Sequence, residues 1–389
     1  MSGEITLPKF ATSGSNEEEP SEGKKNTGWT DGEEPAAEYL NWIHRRTYES
    51  ARDNLALAQA QVAGKHTTLG SAYGAGTPGS TYTVEVALWD DDVIVMGCDH
   101  DTTDIQITTS EDGGLSFTDR YGPSTGSPPE MGCISPGRYA VMVVDASNWL
   151  HAAYPYTSWT AVTGATFSST TRRRMGLLPI DGVMSMVLSG DGAATTCYLE
   201  YTPADTEPTA VVDWTTITFT ASSTFNFFGM DYNDDYMLIA TAASTKPHVY
   251  RAATGTGSLA GDWTPVQLSI GSGNIYDVAW TGSRWVGLAS SGVIYVSDDA
   301  DTWTNIGVQV GPGATHLTCD KETGFVYAYS DSVGNICVSR DHGITWAEAI
   351  ASGSNEMTAH GQRLGYDAKR RYLFGGDDSL ALEKFIRTL

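Results

Sequence analysis

Few residue groups in this chain have the composition and spacing to do chemistry. Asp99, Asp101 and Asp104 lie in Asp99-His100-Asp101-Thr102-Thr103-Asp104, a spacing that could hold a hard cation such as Ca2+, with a solvated turn the favoured reading. Arg172-Arg173-Arg174 is a concentrated positive run on an otherwise acidic body. Planar guanidinium groups grip a carboxylate or phosphate of a surface glycan, or offset nearby aspartates; both readings are open for this run. No HExxH, P-loop, GxSxG or Cys/His metal set occurs, so no metal or cofactor is expected. Glutamate is scarce beyond residue 66, where 27 of 36 acids are Asp, which leaves a two-carboxylate glycosidase few Glu candidates.

The elements that must position these groups are short strands in a repeat. Ser339-Arg-Asp341-His-Gly343-Ile-Thr345-Trp346 recurs as Ser110-Glu-Asp112-Gly-Gly114-Leu-Ser116-Phe117 and, one residue shorter, as Ser297-Asp-Asp299-Ala-Asp301-Thr302-Trp303. Weaker relatives close on Trp159, Trp214 and Trp263 alone. The closing aromatics are 42, 55, 49, 40 and 43 residues apart, periods that suit a four-stranded propeller blade. Upstream of each box lies a pair of apolar or alternating segments, such as Tyr236-Met-Leu-Ile239 with His248-Val-Tyr250. A last pair, Tyr372-Leu-Phe374 with Ser379-Leu-Ala-Leu382, has no box after it, which makes seven units. Residues around 67–75 are placed to supply its outer strand and leave no open edge. In the box itself the Asp is expected to accept turn N–H groups, Gly to supply positive φ, and the aromatic to cover the join between blades. Asp301 stands where the shorter copy should carry Gly, which puts its turn in question.

These boxes resemble the Asp-box, S-x-D-x-G-x-T-W, of sialidase-like β-propellers. The resemblance implies an all-β, seven-bladed propeller over residues 67–389, with Ser110, Asp112, Gly114, Phe117, Ser297, Asp299, Trp303, Ser339, Asp341, Gly343 and Trp346 in structural roles. A sialidase also needs an arginine cluster drawn from separate blades, introduced by an Arg-Ile-Pro-like motif. That motif is missing, and three of the chain's arginines form one run, so the chain is read as a non-enzyme. Binding is the expectation. In such propellers the connections from strand two to three and from each blade to the next share one face, opposite the boxes. Asp99–Asp104, Asn148-Trp149, Arg172–Arg174 and Asp377-Asp378 are expected there, with Arg172, Arg173, Arg174 and Trp149 as ligand-facing residues.

The 389 residues carry 47 acidic and 23 basic side chains, a net charge of −24. That balance repels nucleic acid and anionic membranes. No apolar run is long enough to span a bilayer, and the start lacks the layout of a secretory signal, so synthesis in a cytoplasm is expected. The five cysteines, Cys98, Cys133, Cys197, Cys319 and Cys337, form no pair framework and read as free thiols.

Residues 1–66 differ in kind. Residues 11–28 have almost no apolar content and read as an extended strap. Glu33-Glu34-Pro35 suits a helix start, and the stretch to Gly64 predicts a helix over about 36–63. Its irregular apolar stripe needs a surface to bury it, either the chain's own β domain or copies and partners. The segment Thr27-Gly28-Trp29-Thr30-Asp31-Gly32-Glu33-Glu34-Pro35-Ala36-Ala37-Glu38-Tyr39-Leu40-Asn41-Trp42 resembles the N-terminal anchor of tailed-bacteriophage tail fibres and other appendages. The matching positions are Gly28, Trp29, Gly32, Glu33, Pro35, Tyr39, Asn41 and Trp42. The resemblance implies a virion protein, synthesised in the host cytoplasm, attached to tail or head proteins through its N-terminus. A homo-oligomer, with a trimer favoured, and a host surface glycan or protein receptor are the implied partners. A structural tail or head-fibre piece without a receptor role, and a glycan-cleaving enzyme, are the alternatives.

Overall fold

Beyond residue 65 the alternating segments become strands. The computed structural model describes residues 66–71, 82–90, 93–100, 104–111, 117–125, 131–144, 149–163, 171–191, 195–220, 225–243, 248–268, 274–311, 314–330, 336–350, 365–367, 372–376 and 381–386. The anchor-like segment, the expected helix at 36–63, Asp101, Asp112, Gly114, Asp377 and Asp378 lie outside them. The chain divides into two units, residues 1–67 with 386–389, and residues 68–385; the second holds nearly everything described.

Among the described residues the chain is all-β. The first strand is β1 (His66–Ser71). Six antiparallel sheets of four consecutive strands follow. They are β2 (Tyr82–Asp90), β3 (Val93–His100), β4 (Asp104–Ser110) and β5 (Thr118–Thr125); then β6 (Met131–Ile134), β7 (Tyr139–Val143), β8 (Trp149–Ala153) and β9 (Thr160–Ala161). Next come β10 (Thr171–Ile180), β11 (Val183–Asp191), β12 (Thr196–Pro203) and β13 (Thr215–Thr220), and β14 (Phe225–Tyr232), β15 (Tyr236–Ala243), β16 (His248–Ala253) and β17 (Thr264–Gln267). The last two are β18 (Ile275–Trp280), β19 (Trp285–Ala289), β20 (Val293–Ser297) and β21 (Thr304–Gln309), with β22 (Ala314–Asp320), β23 (Phe325–Ser330), β24 (Ile336–Ser339) and β25 (Ala347–Ile350). β26 (Gly365–Asp367), β27 (Tyr372–Gly376) and β28 (Ala381–Ile386) complete a further group, ordered β1-β28-β27-β26, which puts the N-terminal strand at its edge.

Each sheet grades from core to surface in a way its sequence dictates. Second strands are buried on both faces, as in β15, where Met237, Leu238, Ile239 and Ala240 are all inaccessible. Fourth strands bury one face: in β13, Thr-Thr-Ile-Thr-Phe-Thr, only Ile217 and Phe219 point inward. Period-two alternation on a half-buried strand produces that pattern. First strands of neighbouring sheets lie against one another, β2 on β6, β6 on β10, β10 on β14, β14 on β18, β18 on β22, β22 on β26 and β26 on β2.

Tryptophans close the joins between sheets. Trp159 packs with Val93, Val95 and Ile107 of the preceding sheet, and Trp214 with Cys133, Val141 and Trp149. Trp263 packs with Leu178, Val187 and Leu199, Trp303 with Leu238 and Val249, and Trp346 with Val286 and Leu288. Each therefore buries a large ring against the sheet before its own. Burial of that size stabilises by roughly 2–3 kcal/mol per ring through the area removed from water.

The turns that aim these rings are built by carboxylates. Asp341 Oδ1 accepts the Ser339 hydroxyl at 2.9 Å and the Thr345 N–H at 2.8 Å, while Thr345 Oγ1 donates to Oδ2 at 2.6 Å. Gly343 sits at φ 86° and its carbonyl accepts the Trp346 indole N–H at 2.9 Å. In the shorter copy Asp299 Oδ1 accepts the N–H groups of Asp301 and Thr302 at 2.8 and 2.7 Å. The left-handed position there is Ala300, at φ 60°, so Asp301 is not where a glycine is needed. The Trp214 and Trp263 units also keep a carboxylate, one residue before the ring. Asp213 accepts the Ala210 N–H at 2.9 Å, and Asp262 accepts those of Gly257 and Leu259 at 3.1 and 3.0 Å.

Candidate functional site

The four predicted ligand residues, all with described backbone, divide on inspection. Trp149 begins β8 and is fully buried, edge-on to Trp214 with ring centroids 5.1 Å apart. It is core and offers no ligand platform, because the apolar join between two sheets takes its ring. Arg174 is 3% exposed, so it too is not a surface ligand residue. Arg172 and Arg173 belong to β10, and a bulge between Arg172 and Arg174 breaks the register of the run.

That bulge recurs in the first strands, between Val84 and Val86, Phe227 and Met230, Ile275 and Asp277, and Ala314 and His316. An extra residue re-aims the side chain that follows it. Arg174, Asp277 and His316 all follow such a bulge, and they meet. Arg174 lies 3.4 Å from the Asp277 carboxylate, donates to the Thr315 carbonyl at 3.1 Å, and contacts His316 Nδ1. Asp277 also accepts the N–H groups of Val278 and Leu317 at 3.0 and 2.9 Å. Gly229 of β14 is the equivalent gap: a Cβ there would overlap the Asp277 carboxylate. The run thus serves in part to neutralise a buried aspartate.

Asp99 and Asp104 lie on the β3–β4 hairpin, with Asp99 opposite Ile105 and His100 opposite Asp104, and Asp101 falls outside the described residues. Among the described residues no three His, Cys, Asp or Glu side chains converge on a metal position. Cys133, Cys197, Cys319 and Cys337 form no disulfide, and three of them are buried.

A groove of about 530 Å3 lies elsewhere, where the hairpin turns following β14, β18 and β22 meet the turn after β20. In the first turn Asn233 Oδ1 accepts the N–H groups of Asp235 and Tyr236 at 3.0 and 2.7 Å, which leaves Asp234 and Asp235 exposed. In the second, Trp280 and Trp285 pair across the strands with centroids 5.3 Å apart. In the third, Asp320 accepts the N–H groups of Glu322 and Thr323 and so fixes the turn that carries Lys321. Lys321 then reaches past the middle turn. Its Nζ lies 2.7 Å from Asp231, 3.2 Å from the Tyr232 carbonyl and 4.6 Å from the Tyr232 ring. Burial works against its charge, but the Asp231 carboxylate outweighs this and raises its pKa, so it stays an ammonium. Asp298 and Asp299 complete the rim, and the turn N–H groups that Asp299 accepts hold its pKa down to about 2.

All four turns are connections between strands one and two or three and four, so the groove is on the side of the boxes. The expected ligand side is the other one. The sequence did carry a signal: Tyr232 and Tyr236 bracket one turn, Trp280 and Trp285 the next, with 48 and 49 residues between equivalents, one period of the repeat.

Four-stranded antiparallel sheets joined through their first strands define the class: the described residues are all-β and have the β-propeller fold. No family model and no curated protein matches the chain. Among solved structures it is similar to YCF48 bound to D1 peptide, at 13% identity and a TM-score of 0.56 over 83% of this chain and 99% of that one. YCF48 from Cyanidioschyzon merolae matches at 12% identity and a TM-score of 0.53 over 83% of this chain and 99% of that one. PorZ, a surface component of the type-IX secretion system of Porphyromonas gingivalis, matches at 12% identity and a TM-score of 0.52 over 82% of this chain. The match spans 37% of PorZ's length.

Proposed function

We propose that the chain is a non-catalytic binding protein: a seven-bladed propeller with Asp-box turns, displayed on an appendage of a tailed-phage virion and directed at the host surface. The groove between the β14–β15, β18–β19 and β22–β23 turns carries the binding part of this reading, since it is a recess with aromatic walls, polar groups and turns tied together across three sheets. Seven blades are supported by the succession of first-strand contacts, which returns from β26 to β2, and by β1 lying beside β28. The virion setting is supported by the anchor-like residues Gly28 to Trp42. In it, residues 1–66 attach to tail or head proteins.

Tyr156 resembles a tyrosine nucleophile in having a carboxylate partner, but it is fully buried and is not a candidate for that role. Its hydroxyl donates to Asp90 at 2.5 Å, and burial together with Asp90 pushes its pKa well above the ordinary tyrosine value. A nucleophile needs the reverse shift. YCF48 is seen with a bound peptide, which supports a peptide-binding use of the fold.

Mass spectrometry of purified virions tests the setting, and absence of this polypeptide would overturn it. Purified full-length chain added to a plaque assay tests adhesion: a dose-dependent loss of infection is expected, and no competition would favour a purely structural appendage.

A further inference from the structure

We infer that Arg174 and His316 form a proton-operated tie, which holds β10 to β22 while the imidazole is neutral and lets go when the imidazole takes a proton. The two strands belong to sheets that are not neighbours, since β14 and β18 stand between them in the succession of first strands. The contact therefore joins parts of the fold that sheet-on-sheet packing does not. Its protonation state follows from the groups that meet. A guanidinium has N–H groups and no acceptor, so at the contact with Arg174 the His316 Nδ1 must be the acceptor. The ring is then neutral, with its proton on Nε2. A second proton would set N–H against N–H and place one positive charge beside another.

Among the described residues one carboxylate stands against that added charge. Arg174, Asp277 and His316 are 3%, 7% and 9% exposed, so water screens them little. Asp277 of β18 lies 3.4 Å from the guanidinium and already balances it, while its two oxygens accept the Val278 and Leu317 N–H groups. Tyr329 of β23 lies nearly parallel to the imidazole, with centroids 6.2 Å apart, and adds no charge in the acid range. β19 and the turn Ser290–Gly292 contain no titratable residue. On β26, Asp367 closes its hairpin opposite Tyr372, the position that Asp320 holds opposite Phe325 at the far end of β22 from His316. Arg172 and Arg173, before Arg174 in the sequence, share its sign. The unfolded chain has no such contact and takes the proton at the ordinary histidine value, about 6.5. Stability from the tie is therefore full above that value and is lost as pH falls below it, because there the unfolded chain binds more protons.

The inference stands apart from the virion setting and from any ligand. Its test is imidazole NMR of the full chain labelled with 15N at histidine, compared with His316→Asn, which keeps an acceptor oxygen in place of Nδ1 and cannot titrate. The His316 signals are expected to show a bare Nδ1 at neutral pH and a midpoint at or below about 5.5, one unit under the ordinary value. Denaturant unfolding gives the linked quantity. Between neutral pH and about pH 5 the unfolding equilibrium constant of the natural chain should rise about tenfold more than that of His316→Asn. Hydrogen exchange corrected for intrinsic rates reads the release itself. Peptides covering 171–176 and 314–319 should lose protection in acid in the natural chain and keep it in His316→Asn, while peptides from β15 keep it in both. Should His316→Asn not fold, nuclear Overhauser contacts to the Tyr329 ring assign the imidazole and its midpoint decides. A protonated Nδ1 at neutral pH, a midpoint above about 5.5, or the same acid response in both chains would each overturn the inference.

Discussion

The Arg174 guanidinium lies 3.4 Å from the Asp277 carboxylate, a pair that joins strands of two sheets 103 positions apart. Both residues are more than nine-tenths buried. Removing one partner of such a pair leaves a buried charge uncompensated. Arg174→Ala and Asp277→Asn are each expected to destabilise the fold by about 3–5 kcal/mol, the first stranding the carboxylate and the second the guanidinium, with one Asn oxygen left for the two backbone N–H groups that Asp277 accepts on separate oxygens. Denaturant midpoints of the two variants and their double mutant measure the coupling; additive effects would show that the pair does not act as a unit.

Gly229 makes room for that carboxylate. Gly229→Ala puts a Cβ into Asp277 and must displace either the side chain or the β14 backbone. A loss of roughly 1–3 kcal/mol is expected from overpacking, together with loss of the coupling between Arg174 and Asp277. An unchanged unfolding midpoint would count against the packing described.

The carboxylate turns make stability depend on acid. Asp299 is held at about 2, first by the Thr302 and Asp301 N–H groups, and Asp341 is lowered by Thr345 and Ser339 against the effect of its burial. Both are depressed in the folded state. The stability they add is therefore full above the ordinary carboxylate value, near 3.9, and is lost as pH falls toward 2. Asp299→Asn and Asp341→Asn should flatten the acid limb of the stability curve while lowering stability at neutral pH. Side-chain carboxyl NMR titration locates the Asp299 midpoint directly.

Tyr156 sets a limit at the alkaline end. Its pKa is raised by burial and then by Asp90. A raised tyrosine stabilises below the unfolded value, near 10, and that contribution is lost as pH rises beyond it. Alkaline unfolding should begin above pH 10 in the natural chain and shift upward in Tyr156→Phe, which has no proton to lose. Ultraviolet titration should show Tyr156, like the burial-raised Tyr250 and Tyr295, resisting ionisation, and the late-ionising amplitude should fall in Tyr156→Phe.

Trp263 is the clearest of the interlocking rings, at 4% exposure, with its indole N–H on the Gly257 carbonyl at 2.9 Å. Trp263→Ala should cost about 3–5 kcal/mol through the cavity left between two sheets, and Trp263→Phe should recover part of that. Thermal unfolding of the pair separates ring burial from the hydrogen bond.

The middle hairpin of most sheets was legible in the sequence, but β8 was not read as a strand and its Trp149 was expected on a ligand-facing loop. Segments such as Val93–Met96, Tyr139–Val143 and Trp285–Leu288 are buried on both faces, so their apolar runs announce themselves. Outer strands such as Thr215–Thr220 show only two inward residues, and first strands are interrupted by bulges, which hides both from a periodicity reading. The boxes were legible because their turn chemistry is local: Asp341, Gly343 and Trp346 act within a few residues of one another. The carboxylates of the Trp214 and Trp263 units escaped notice because Asp213 and Asp262 reach backward to their turns from a different position.

The sequence by itself determined the repeat, the all-β character and the residues that shape each turn, since these depend on interactions within one hairpin. Tertiary structure alone decided which loops make a site. Whether Arg174 faces a ligand or Asp277, and whether Lys321 crosses to Asp231, depends on which first strands and turns are brought together, across 103 and 90 positions of chain. Spacing along the chain carries no record of that meeting. It is set by the packing of one sheet against the next, which buries the arginine run's last member and opens the groove on the side of the boxes.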